Sequence, residues 1–316
     1  MKGKYLNPKA DLTFKKVFGE HEQLTLSLLN ALLPLDEGKQ IEHLEFIPTE
    51  LVPENPMKKN SVVDVRCHET GGREFIVEMQ LNWNNEFKNR VILNAAKAVV
   101  KQLDKGEDYT LIKPVYSLNF INDLGFDTET DRFYHDYALV DVADTDRHLE
   151  GLRFVFVELK KFKPQSIMER KMAVLWLRFL TEIDEHTAEA PAELLENPDT
   201  SRALHILEKS AYTEAQLYTY EQFWYAVVNE RVLIEGGYKK GRAEGLQQGI
   251  QQGLQQGIQQ GLQQGLQQGL QQGEQLGGQK KAVAIARSLK AKGIPIDIIS
   301  ESTGLTVEEI AQLEKQ

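Results

Sequence analysis

The chain has 316 residues, 41% of them hydrophobic and 27% charged, with a net charge of −10. That length suits one large domain with an appendage, and no apolar run approaches a membrane helix, so the chain reads as soluble. A single cysteine, Cys67, excludes an intrachain disulfide and a cysteine-rich zinc site, and the acidity argues against a nucleic-acid binder with a broad basic face.

The N-terminus, Met1-Lys2-Gly3-Lys4-Tyr5, has no apolar stretch behind it, which predicts a protein kept in the cytoplasm. Charge is uneven along the chain. Residues 1–120 carry 16 Lys+Arg against 17 Asp+Glu, and residues 121–245 carry 15 against 24. The first part is therefore near neutral, and its Lys15, Lys16, Lys58, Lys59, Lys88, Arg90, Lys97 and Lys101 can form either a phosphate-facing patch or ordinary solvated helix faces.

Helical spacing runs from Asp11 to Leu33 through Val17, Phe18, Leu24, Leu28 and Leu29, divided by Gly19 and ended by Pro34. The period then changes to two. Leu44–Ile47, Ser61–Arg66 and Arg73–Leu81 read as strands, the last two joined across Gly71-Gly72. A helix is expected over Asn85–Leu103, a buried strand over Lys113–Ile121, and further strands over Tyr137–Asp141 and Leu152–Leu159. Together these predict a mixed α/β core. Beyond Lys163 the pattern is helical to Glu235, with breaks near Pro191 and Pro198.

A repeat of period four follows, in which the glycines from Gly245 to Gly273 are separated by Leu-Gln-Gln or Ile-Gln-Gln. Four residues overshoot a helical turn by about 40°, so the apolar line winds round the axis and gives a lone helix no fixed apolar face. Each glycine also costs about 1 kcal/mol relative to alanine. The segment is either an assembly helix that needs a partner or a flexible linker. After it, Lys280–Leu289, a second short helix led into by Ile294-Pro295-Ile296-Asp297 and a third opened by the Thr306/Glu309 capping box make a small helical unit. This is either a helix-turn-helix or an oligomerisation bundle, since Glu308, Glu309 and Glu314 would repel phosphate.

Chemistry concentrates in residues 60–81. Asp64 stands between Val63 and Val65, and Glu78 between Val77 and Met79, so two acids interrupt apolar strands. Such charges need a partner, which is either a divalent cation of the magnesium type or a structural base. Gln80 shares the face of Glu78 and its amide is placed to orient water or a phosphate oxygen. Register decides whether the acids converge. A two-residue loop pairs positions summing to 143 and sends the acids to opposite faces, whereas an odd loop with a left-handed glycine gives 142 and sets Asp64 opposite Glu78. The odd loop is expected. A second acid pair, Asp141 with Glu158-Leu159-Lys160, imitates the pattern later in the chain.

Asp64, Glu78-x-Gln80 and the preceding Asp11-Leu-Thr-Phe-Lys15-Lys16-Val-Phe-Gly19, with Gly106-x-x-Tyr109, Lys113-Pro114-Val115, Phe156–Phe162 and Ser302–Leu305, resemble the recombination-promoting nuclease / putative transposase family of the PD-(D/E)XK superfamily. The resemblance implies an α/β fold, a mixed-sheet PD-(D/E)XK nuclease-like core flanked by helices with a helical C-terminal region. Its segments would be a core at 1–165, a helical extension at 166–244, the repeat at 245–278 and a small helical domain at 279–316. It implies DNA endonuclease activity with Mg2+ or a similar cation and a role in recombination. Asp64 and Glu78 would be the metal ligands, Asp11 and Gln80 further catalytic residues, and Lys15, Lys16 and Arg90 phosphate contacts. DNA is the expected partner, with self-association through the C-terminal region. Gln80 stands where the superfamily usually has lysine, which weakens charge stabilisation at that position. A silent DNA-binding or assembly protein on the same fold is the alternative.

Overall fold

The computed structural model describes residues 3–51, 61–164 and 171–313. The chain divides into two compact units, residues 1–234 and 235–316.

In the first unit a six-stranded mixed sheet has the order β1-β2-β3-β4-β6-β5. The strands are β1 (Leu44–Phe46), β2 (Val65–Glu69), β3 (Glu74–Gln80), β4 (Val115–Ile121), β5 (Tyr134–Asp141) and β6 (Asp144–Glu158). Strands β1 to β3 form an antiparallel meander, β4 runs parallel to both β3 and β6, and β5 closes the edge antiparallel to β6. The expected strand over Ser61–Arg66 is displaced: β2 starts at Val65, and Val62, 57% exposed, makes only an isolated bridge to Glu50. Val63 is as buried as Val65, at 1%, yet stands outside β2; the ladder begins only after the bend at Asp64, whose side chain accepts the Met79 N–H.

Alternation sorts each strand between two helical layers. Val65, Phe75, Val77, Leu118, Phe120, Val155 and Val157 face α1 (Asp11–Phe18), α2 (Glu22–Leu32), α4 (Lys171–Glu182) and α6 (Pro198–Ile206). Trp176 of α4 is fully buried there, edge-on to Phe18 and Phe179. The segment read as a helical extension thus shares one core with the sheet. On the opposite face α3 (Glu86–Val100) sets Ala95 and Ala98 against Ile76 and Val115, and Phe87 and Val91 against Ile121 and Phe156. Short α5 (Ala192–Glu196) precedes α6.

Helix α7 spans Glu214–Ala291 and includes the whole repeat. The repeat is helical, its Leu and Ile side chains are 54–71% exposed from Leu246 to Leu270, and a Cβ built at any repeat glycine would meet open space. In the second unit α8 (Ile296–Thr303) and α9 (Val307–Gln312) close on Ala286, burying Ile299 and Ile310. Gly304 ends α8 at φ +71°, and Thr306 caps α9 with Glu309 in the expected capping box. Lys290 Nζ donates to the carbonyls of Ile310, Ala311 and Leu313 at the end of α9. Among the described residues no helix is long and apolar enough to cross a membrane.

Candidate active site

The β2–β3 hairpin sets the site's geometry. Glu69 N–H donates to Arg73 O at 3.0 Å and Gly72 N–H to Glu69 O at 2.9 Å, closing a loop of Thr70, Gly71 and Gly72. Gly72 is at φ +88°, a conformation that L side chains resist, and a Cβ there would come within 2.8 Å of Lys113 Cγ. Val65 pairs with Val77 and Arg66 with Ile76, so partner numbers sum to 142 as the odd loop requires. Asp64 lies one residue before β2, where its Oδ2 accepts the Met79 N–H at 2.7 Å. The carboxylate therefore sits beside the chain step that carries Glu78.

Helix α3 supplies the facing wall. Arg90 and Asn94 are four residues apart and share a face. Asn94 Nδ2 donates to Glu78 Oε1 at 2.7 Å, and Arg90 Nη2 donates to Gln80 Oε1 at 2.6 Å. The other end of the Gln80 amide is occupied too, Nε2 donating to Asn82 O at 2.5 Å. The expected water-orienting amide is thus held between an arginine and a backbone carbonyl.

From α1, Asp11 and Lys15 form an ion pair of 2.6 Å, and both act electrostatically on Asp64. Lys16 turns elsewhere, its Nζ 3.9 Å from the centre of the Tyr212 ring. Of the other basic residues, Lys88 lies over Phe126 at 4.3 Å and Lys97 Nζ donates to Ser61 Oγ at 2.7 Å. Lys101 reaches Glu50 O at 3.2 Å. Lys58 and Lys59 lie outside the described residues. The structure therefore groups Asp11, Lys15, Asp64, Glu78, Gln80 and Arg90, and sets Lys16 apart.

Burial pushes Glu78 up to about 7; the Asn94 hydrogen bond opposes this, Asp64 adds to it and Arg90 opposes it. Burial likewise raises Asp64 to about 6, against the Met79 N–H and the charges of Lys15 and Arg90, with Asp11 raising it further. Two carboxylates that resist ionisation, each worsened by a neighbouring acid, are a donor set that a divalent cation would stabilise. Asn94 Oδ1, buried without a partner, is an acceptor that a cation's water could satisfy. No group of three His, Cys, Asp or Glu side chains able to hold a metal occurs among the described residues. The residues present still fit magnesium, which takes one or two carboxylates and fills its remaining positions with water and phosphate.

The later acid pair disperses. Asp141 sits opposite Asp144 at the tip of the β5–β6 hairpin, whereas Glu158 is fully buried, bonded to His135 Nε2 at 3.0 Å and Lys161 Nζ at 2.8 Å. Lys160 faces Asp123 at 3.7 Å. Asn94 was not singled out from the sequence, although its i, i+4 relation to Arg90 was a readable signal. Asn82 carried none.

Residues 8–237 match the family model described as PD-(D/E)XK nuclease family transposase. Residues 279–315 match that of the Rpn/YhgA-like nuclease family, C-terminal HTH domain. No curated protein and no solved structure matches the chain. The first model covers well over half of the sequence, and the chain belongs to the PD-(D/E)XK nuclease transposase family.

Proposed function

We propose that the chain is a divalent-cation-dependent DNA endonuclease acting in the cytoplasm, in recombination or transposition. The observation that carries this reading is the pair of acids on neighbouring chain steps, Asp64 half-buried and Glu78 buried, with pKa values raised to about 6 and about 7. Asp64 and Glu78 would hold the cation, magnesium or a similar ion, which supplies Lewis acidity toward a phosphodiester oxygen and toward water. Around it the chain's own groups divide the remaining work. Lys15 and Arg90 face the phosphate, where a planar guanidinium suits a phosphate edge. Asp11 holds Lys15 through their ion pair, and Gln80 holds Arg90 through its amide oxygen. Arg90 thereby takes over charge stabilisation that a lysine at position 80 would otherwise provide. The helix-turn-helix match supports DNA as the partner through the second unit, and the exposed Leu/Ile line of the repeat supports self-association there.

Plasmid nicking with magnesium, with EDTA and with Asp64→Ala tests this reading. Cleavage should need the cation and vanish in the variant. The committed Gln80 amide favours one alternative, a silent DNA-binding protein on a nuclease fold. Binding without cleavage in magnesium or manganese would establish it.

A further inference from the structure

Asn82 lies two residues beyond Gln80 and is 2% exposed. Its side chain offers two N–H donors and one acceptor oxygen, and all are committed to the first-unit part of α7. Nδ2 donates to Val227 O at 3.1 Å and to Glu230 Oε2 at 2.8 Å, and Oδ1 accepts from Arg231 Nε at 3.3 Å. Arg231 also acts on Asp123, whose carboxylate accepts the Trp83 N–H at 2.9 Å, so the next residue is fixed to the same surroundings. An apolar side chain could close the end of a strand at less desolvation cost than this set of polar groups. The polar set has another consequence.

A glutamine amide has ends of opposite polarity, and Arg90, which only donates, takes Oε1. The backbone carbonyl of Asn82 anchors the other end by accepting Gln80 Nε2. If that carbonyl swung away, the amide would hang on the guanidinium alone and Arg90 would lose its fixed acceptor.

We propose that Asn82 is a positioning residue: held by Val227, Glu230 and Arg231 of α7, it fixes the Gln80 amide and so aims Arg90 into the site. The consequence for catalysis rests on the nuclease reading; the orientation of Arg90 does not.

The test uses the full chain with Asn82→Asp, which sets a carboxylate against Glu230 and the Val227 carbonyl, and Asn82→Asp/Glu230→Gln, which restores the pair to residue 230 with its polarity reversed and leaves only the Val227 bond lost. The side-chain 15N–1H signals of Arg90, assigned with Arg90→Ala, should shift in the single variant and return most of the way in the double. Nicking kcat should fall about tenfold, or about 1.4 kcal/mol, with the KM for DNA within about twofold, and should recover in part in the double variant. In an Arg90→Ala background Asn82→Asp should cause no further fall, because the two act through one group. Arg90 signals unmoved by Asn82→Asp, or kcat losses that multiply with Arg90→Ala, would overturn the proposal. A wild type that never cuts would remove the nuclease reading alone, since the Arg90 signals still decide the inference. Should Asn82→Asp not fold, Arg231→Ala removes one bond to Asn82 and is read by the same signals.

Discussion

Asn94 on α3 donates to the Glu78 carboxylate on β3 at 2.7 Å, and both side chains are buried. Among the described residues this is the one hydrogen bond that favours a charged Glu78, against burial and the neighbouring Asp64. The bond thus sets how readily Glu78 is available to a cation at neutral pH.

Asn94→Ala should therefore weaken manganese binding about tenfold at pH 7.5, because losing a hydrogen bond to a charged group costs about 1.5–3 kcal/mol. Calorimetric titration checks it. The deficit should shrink at pH 8.5, where Glu78 ionises without help; equal affinity at both pH values would exclude the role.

The raised acids also predict how stability depends on pH without metal. Asp64 and Glu78 go from ordinary values of 3.8 and 4.5 to about 6 and about 7 on folding, so the folded chain binds more protons than the unfolded one across that interval. Their contribution is complete below about pH 4 and is lost as pH rises through about 7, on the order of 3 kcal/mol per carboxyl as an upper bound. Glu78→Gln keeps an oxygen for Asn94 and removes the charge. It should raise the melting temperature of the first unit at pH 8 by several degrees in EDTA and change little at pH 4.5. Magnesium should stabilise the wild type at pH 8 more than the variant.

Gln80→Lys, which writes the more usual superfamily residue into the site, should not improve cleavage. Its ammonium would replace the amide oxygen that accepts from Arg90, placing two cations together. A fall in nicking rate of about tenfold is expected, and a gain would show that Arg90 is not the charge-stabilising group.

Glu158 and Asp141 should separate structural from catalytic acids. Glu158→Ala takes the shared carboxylate from buried His135 and half-buried Lys161, leaving them backbone carbonyls alone, and should cost about 3 kcal/mol in denaturant unfolding. Asp141→Ala, at an exposed hairpin tip, should alter neither stability nor nicking.

Deleting residues 245–273 should lower the number of copies per particle measured in solution by light scattering and leave the metal-dependent cleavage intact. Burying one leucine or isoleucine contributes about 1.5–3 kcal/mol, so a repeat with its Leu and Ile 54–71% exposed holds enough apolar surface to join copies. An unchanged copy number would remove the repeat from any assembly.

The sequence by itself determined the acids and their register. Two carboxylates among apolar residues need a partner, and an odd loop or a bulge turns both to the same face; the three-residue loop with Gly72 at φ +88° gives that register. It determined the capping box and the helices of the second unit for the same reason, that local hydrogen bonding and backbone sterics act within a few residues. Where β2 begins was decided at Asp64, whose side chain accepts the N–H of Met79 on the next strand. Only the tertiary structure could show that Lys16 stacks on Tyr212, that Glu158 belongs to a buried pair of bases, and that Asn82 meets α7 some 145 residues later in the chain. Those partners are chosen by packing between distant elements, and no local pattern in the sequence records the distance between them.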